Sequence, residues 1–252
     1  MKKPVRTVVL LLCFAVFVFS TVQVSNWWSR SIQSARTYSD LTALAPVPAP
    51  QESGGTETGE ESDIPWPQVD FEALSAANPD VVGWLYGEDT SIHYPVVQGS
   101  DNDYYLSHLF DGTANSNGCL FLDCRVAANF SEGNSIIYGH YLTDGTMFTS
   151  LSGYKQQDYY DAHPRLLLVT PEERFVVELF SGYVAGVTDE AWRTRFSTSE
   201  EWEVWLEEIT ERSVFESKVQ PTLEDRILTL STCSYEFENA QFVVHGILRQ
   251  SG

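Results

Sequence analysis

From Val81 onward, apolar residues come in short runs separated by Gly, Pro, Asn, Asp and Ser. Short runs rich in Val, Ile, Leu, Tyr and Phe between turn residues predict strands. The pattern predicts them at 83–86, 92–98, 118–122, 135–138, 165–170, 174–187, 226–230 and 242–248. Pro171, Glu172, Glu173 and Arg174 form a hairpin-turn signal between two of these runs. Eight short strands with irregular connections predict a mainly β domain closed as a barrel. One segment, 199–215, has a different period. Trp202, Trp205, Leu206 and Ile209 recur at i, i+3, i+4 and i+7 with glutamates between them, which predicts an amphipathic helix. Ser199 is its expected N-cap, acids fill its first turn, and the tryptophan stripe reads as core packing. A shorter helix is predicted over 70–77, stopped by Pro79.

The start of the chain obeys neither pattern. Residues 7–25 carry no charge and are mostly Val, Leu and Phe. As a helix they reach about 28 Å, enough to span a hydrocarbon core. Lys2, Lys3 and Arg6 precede the run, and Trp27, Trp28 and Arg30 come after it. A basic side before the span and aromatic residues after it predict a single pass with the amino terminus in the cytoplasm. A cleaved signal peptide is the rival reading. No small-residue cleavage site closes the run, and Ala43-Leu44-Ala45 lies far downstream, just before Pro46. Residues 42–67 are rich in Pro, Gly, Ser, Thr and Glu and predict a flexible stalk, with a short helix at 32–41. The expected organisation is a cytoplasmic start at 1–6, a span at 7–25, a stalk at 26–67 and a folded domain at 68–252.

Charge narrows the choice of partners. The chain has 15 basic and 35 acidic residues, a net charge of −20. The first 30 residues hold four of the bases and no acid, so the remainder carries −24. That argues against nucleic acid and anionic lipid as partners. It is compatible with a basic or amine-bearing partner, but a solvated acidic surface is the plainer reading.

Four cysteines are present. Cys13 falls in the apolar span. Cys119 and Cys124 share one strand-like run, which sets their Cα atoms about 16 Å apart on opposite faces. A disulfide needs less than about 7 Å. They lack the paired spacing of a zinc site, and no metal or cofactor is expected. Cys233 is left as the candidate reactive thiol. It ends the apolar run Ile227-Leu-Thr-Leu-Ser-Thr-Cys233, and His140 ends Asn134-Ser-Ile-Ile-Tyr-Gly-His140 in the same way. A thiolate nucleophile with a nearby imidazole is the minimum equipment for acyl transfer. The plain alternative is packing, since cysteine is among the most buried residue types and a strand histidine is often a surface residue. His93, His108, His163 and His245 lie among turn or strand residues without a second ligand at metal spacing, and read as structural or surface residues.

The wording of these segments adds a resemblance. TLSTCSYEF resembles the TLxTC signature of sortases, and IIYGHYL resembles their histidine segment. NPDVVGWLYGEDTSIHYPVVQGSDNDYYLSH, residues 78–108, looks like the amino-terminal part of class B sortases. The resemblance runs from about Phe71 to Arg249 in the family's order. It implies an eight-stranded barrel with an N-terminal helix and a long helix between the sixth and seventh strands. It also implies that the Cys233 thiolate attacks a sorting-peptide carbonyl while His140 shuttles protons. Asn102, Leu106 and Ser231 match positions that line the peptide groove. The family's third catalytic residue is an arginine at the start of the last strand, and here Gln241 stands in its place. A glutamine amide donates a hydrogen bond without charge, and charge-assisted bonds are roughly twice as strong. Arg226 and Arg249 lie about 23 and 27 Å along extended strands from the relevant ends and cannot substitute.

The resemblance implies a membrane-anchored transpeptidase outside the cell. Its partners would be secreted proteins with a carboxy-terminal sorting motif and an amine of a peptidoglycan precursor or pilin. Two alternatives stay open: a weakly active or non-catalytic peptide-binding homologue, motivated by Gln241, and a hydrolytic cysteine peptidase, because water can also resolve a thioacyl-enzyme. Asp63-Ile64-Pro65-Trp66 faintly resembles the lid of class C sortases but differs from its pattern.

Overall fold

The computed structural model describes residues 3–49, 65–186 and 188–251. Eight strands form a closed barrel: β1 (Val81–Tyr86), β2 (His93–Val97), β3 (Leu120–Leu122), β4 (Asn134–Tyr138), β5 (Arg165–Val169), β6 (Arg174–Ala185), β7 (Ile227–Cys233) and β8 (Gln241–Ser251). Around the barrel they run β1-β2-β3-β4-β7-β8-β6-β5. β2 pairs parallel with β3 and β4 parallel with β7, while the other neighbours are antiparallel. All eight predicted strands are present. The predicted hairpin is also there: Thr170 Oγ1 accepts from the Glu173 amide at 2.9 Å as β5 turns into β6.

Alternation along β7 and β8 separates two cores. Leu228, Leu230, Phe242 and Val244 point into the barrel with Trp84, Phe148 and Phe175. Ile227, Val243 and Ile247 point outward and pack against the helix α4 (Ser199–Glu211). That helix presents Trp202, Trp205, Leu206 and Ile209 to this outer face, so the stripe is core packing as read from its spacing. Its N-cap is Thr198, one residue earlier than predicted. Thr198 has extended backbone, and its hydroxyl accepts from the Glu201 amide at 3.2 Å, which satisfies one otherwise unpaired donor. Two short helices complete the domain, α2 (Phe71–Ala77), capped by Asp70, and α3 (Gln157–Ala162).

The amino-terminal helix, α1 (Lys3–Thr42), is longer than the apolar run. Within it, Leu10–Thr42 contains an 18-residue window with a mean hydropathy of 1.7, long and apolar enough to cross a membrane. Phe14, Phe17 and Phe19 are each about two-thirds exposed, at 67%, 68% and 65%. Residues 26–42, expected in the stalk with a helix only at 32–41, continue α1 because no Pro or Gly interrupts them. Ser34, Tyr38 and Leu41, spaced i, i+4 and i+7, are buried. The Tyr38 hydroxyl donates to the Gly118 carbonyl at 2.5 Å, and Asn115 Nδ2 donates to the Arg30 carbonyl at 2.9 Å. The stretch 50–64, which holds most of the Pro- and Gly-rich residues 42–67 and includes Asp63 and Ile64, lies outside the described residues. Trp66 packs against the main core.

Candidate active site

Strand direction builds this site. β4 and β7 are parallel, so the chain leaves both at the same rim of the barrel. Tyr138 pairs with Ser231, and the Gly139 amide donates to the Ser231 carbonyl at 3.1 Å. Two residues further in that register, His140 falls beside Cys233 on strands about 4.8 Å apart. β8 runs antiparallel to β7, so its first residue meets the last of β7: Cys233 pairs directly with Gln241. Directly paired residues share a face. Cys233 and Gln241 are thus direct partners, and His140 follows β4, the neighbour of β7 on its other side. Cys233 is exposed, whereas every other residue of β7 is buried.

Glycines on either side allow this approach. A Cβ on Gly139 would collide with Leu120 and Phe148 inside the barrel. Gly118 has φ +60°, and a Cβ there would lie 2.6 Å from the Tyr105 carbonyl and 2.9 Å from His140 Cδ2. The imidazole sits in the space that Gly118 leaves. His140 Nε2 lies 2.7 Å from the Leu106 carbonyl oxygen. A carbonyl only accepts, so Nε2 carries the hydrogen, and Nδ1 is the basic nitrogen of the neutral ring.

The other predicted residues separate into groups. Ser231 Oγ donates to Gln241 Oε1 at 2.6 Å and accepts from Trp192 Nε1 at 3.0 Å. That bond fixes the carboxamide through its oxygen and leaves Nε2 as a donor without a partner among the described residues. Leu106 is 39% exposed beside His140. Asn102 lies further off: its Oδ1 accepts from the Cys124 amide at 2.8 Å, at the end of β3. Neighbouring Asp123 is fully buried at its side chain, pairs with Arg125, and accepts from the Tyr138 hydroxyl at 2.9 Å. Burial pushes the Asp123 carboxyl upward, but hydrogen bonds from Arg125, Asn102 and Tyr138 outweigh it and hold the group below the usual range. Arg125 also reaches the Trp192 carbonyl at 3.2 Å, tying this corner to the segment between β6 and α4.

On its other side Cys233 borders an open depression of about 240 Å³, lined also by Tyr141, Lys155, Ser234, Tyr235 and Glu236. Lys155 ends a 3₁₀ helix (Phe148–Lys155) that packs against β7 and β8. Its Nζ donates to Ser234 Oγ at 3.0 Å and to Glu236 Oε1 at 2.5 Å. Lys155, foremost, and then Ser234 draw the Glu236 carboxyl down to about 2. Tyr235 is 75% exposed and meets the Tyr141 ring edge-on. Sequence reading passed over Lys155 and Trp192. Neither stands in a motif, and each ends a short 3₁₀ helix whose placement only the fold reveals.

Away from the site, the other histidines are packed or bonded within the fold, although Nε2 of His245 has no hydrogen-bond partner among the described residues. His245 is completely buried, with Nδ1 2.9 Å from Thr229 Oγ1, and burial foremost, then the Arg212 charge, pushes its imidazole down to about 3. His93 Nε2 bonds the Ala45 carbonyl, His163 Nδ1 the Tyr159 carbonyl, and His108 stacks on Tyr104. The four cysteines are free. Cys119 is buried, and burial raises its thiol to about 12, which leaves it inert. Among the described residues no cluster of His, Cys, Asp or Glu suits a metal ion.

Comparison with known proteins gives the same picture. A family model described as a Sortase domain matches residues 85–248. Sortase B of Listeria monocytogenes is 37% identical over 177 residues, covering 69% of this chain and 72% of that protein. The Staphylococcus aureus sortase B–substrate complex superposes with a TM-score of 0.69 at 34% identity, covering 72% of this chain and 85% of that one. A crystal structure of sortase B complexed with triglycine also superposes with a TM-score of 0.69 at 34% identity, covering 72% and 86%. A barrel whose strand directions bring one cysteine, one histidine and the head of the last strand to a single rim, and whose relatives are sortases B, leaves one conclusion: this chain belongs to the sortase family of cysteine transpeptidases, among its class B members.

Proposed function

We propose that this chain is a membrane-anchored class B sortase that joins secreted proteins carrying a carboxy-terminal sorting motif to an amine at the cell wall. The observation that carries the reading is the direct pairing of Cys233 with Gln241 at the rim where parallel β4 leads into His140, with Cys233 alone exposed on its strand. The Cys233 thiol passes its proton to Nδ1 of His140, and the thiolate adds to a backbone carbonyl of the sorting peptide. His140 returns the proton to the departing amine as the peptide C–N bond breaks, leaving a thioacyl-enzyme. An incoming amine then attacks the thioester, gives its proton to the same imidazole, and releases Cys233. Gln241 Nε2 donates to the carbonyl oxygen as it gains charge. The substrate and triglycine complexes of the relatives support a sorting peptide and an amine acceptor as the two reactants.

Leu106 and Ser231 border the reacting residues, and Asn102, at the end of β3, would contact a more distant part of the peptide. Outward orientation with α1 as anchor is supported by its apolar length and by the basic residues before it. The test is mass spectrometry of the full chain in detergent micelles with a library of sorting-type peptides. A peptide-mass adduct on Cys233 that is resolved by added triglycine supports transfer. An adduct lost at the same rate without amine supports a hydrolytic peptidase. Peptide binding without any adduct supports the second reading, a peptide-binding homologue, which the neutral Gln241 specifically favours.

A further inference from the structure

The site lacks the arginine that the family resemblance places at position 241, yet a cation stands beside the nucleophile. Lys155 borders the same depression as Cys233. It grips the two strands immediately past the catalytic pair. Ser234, its hydrogen-bond partner, is next after Cys233, and Phe242, whose ring centroid lies 5.1 Å from Nζ, is next after Gln241. An ammonium has three N–H donors. Two go to Ser234 and Glu236, and the third has no hydrogen-bond partner among the described residues. Four arginines are excluded by their place or by their pairing. Arg226 and Arg249 sit at the opposite end of β7 and β8, Arg193 is paired with Glu190 and Glu201, and Arg212 with Asp189 and Glu208.

We propose that Lys155 supplies the positive charge of this active site, stabilising the Cys233 thiolate formed when the thiol proton passes to His140, while Gln241 contributes only a neutral donor. Glu236 has the opposing part. Its carboxylate holds Lys155 in place and partly cancels its field, but it is the more exposed partner, 41% against 29%, so water screens it more. The other titratable groups facing Cys233 are His140 from beyond β4, Tyr141, and Tyr235 from the β7–β8 connection.

The inference rests on the transpeptidase reading, and a substrate-free measurement separates the two. Cys233 in the full chain is alkylated with iodoacetamide across pH 5–10. The Cys233 peptide is quantified by mass spectrometry, because Cys13 and Cys124 are also exposed. An opposite charge close to a titrating group favours its charged form, by about one unit or more where the two are near. Lys155→Met is therefore expected to move the alkylation midpoint up by about one unit. Lys155→Arg restores it, and Glu236→Gln moves it down. In thioacyl formation, Lys155→Met should cost about tenfold with Gln241 present and less than about threefold beside Gln241→Arg, because a charge already supplied is lost with little effect. An unchanged midpoint in Lys155→Met overturns the proposal. So does an equal loss in both backgrounds, the mark of a lysine that only braces the barrel end. Shifted midpoints with no thioacyl product from the unaltered chain would uphold the role of Lys155 and overturn the transpeptidase reading.

Discussion

The two ends of the β7–β8 pair are finished in opposite ways. At the Ile227 end, Arg249 reaches both Asp225 and Glu178, and Arg226 lies over the Phe175 ring while donating to the Phe130 carbonyl. Both of these guanidinium groups are partnered. At the Cys233 end, polar groups are held in place but left incomplete: the thiol is exposed, Gln241 is anchored through Oε1 with Nε2 open, and Lys155 spends two donors of three. The first end satisfies its donors and so holds the barrel closed. The second leaves donors unmet, at some cost in stability, and these are the donors that the proposed reaction would use.

Substitutions at the two ends should therefore separate activity from stability, and the largest effect belongs to Cys233. Cys233→Ala is expected to remove thioacyl formation by about 10³-fold or more while shifting the melting temperature by less than about 2 °C, since the side chain is exposed. Residual cleavage near the unaltered rate would break the comparison. His140→Ala should slow turnover by about 10²–10⁴-fold, because an amine leaves poorly without a proton. That loss should appear in peptide cleavage and in resolution of the thioacyl-enzyme alike, as one imidazole serves both.

Gln241 sharpens the contrast. Removing an oxyanion donor costs about 10²–10³-fold where that donor is fully used. Gln241→Ala is expected to lose about tenfold or more, and Gln241→Arg to raise the acylation rate, because a guanidinium adds charge at the same strand position. A drop in melting temperature with no rate gain in Gln241→Arg would mean that Trp192 and Ser231 have closed the position around a neutral amide. Acylation unaltered by both substitutions would remove Gln241 from the site.

The smaller effects belong to the frame. The imidazole of His245 is held near 3, well below its ordinary value, so the unfolded chain binds the extra proton first. Its contribution to stability is present above about pH 6.5 and is lost as the pH falls toward 3. The melting temperature should decline over that window, and His245→Gln should flatten the decline. Arg249→Ala, on the closed end, should cost no more than about 1 kcal/mol, as befits a partly exposed pair, with thioacyl formation unchanged.

Much of this was legible in the residues, and the gaps have physical causes. The strands were readable because each is a short apolar run ended by turn residues, and α4 because its four buried side chains keep helical spacing. Cys233 and His140 stood out as strand ends, but only parallel pairing of β4 and β7 brings them together, and no local pattern encodes pairing direction. The extension of α1 was missed because its buried face, Ser34, Tyr38 and Leu41, is mixed in polarity, and its hydrogen bonds from Tyr38 to Gly118 and from Asn115 to Arg30 span 80 positions or more. Lys155 was invisible for the same reason. It precedes Ser234 by 79 positions and reaches it only through the end of a closed barrel. The cap shifted from Ser199 to Thr198 because two adjacent hydroxyl residues compete and the extended backbone at 198 decides between them.

The most direct test of the central claim is intact-protein and peptide-level mass spectrometry of the full chain after exposure to sorting-type peptides, with and without triglycine. The account predicts a thioacyl adduct on Cys233, absent in Cys233→Ala, whose decay is accelerated by the amine with appearance of the joined peptide. No adduct on Cys233 with any peptide, or cleavage that persists in Cys233→Ala, would contradict it.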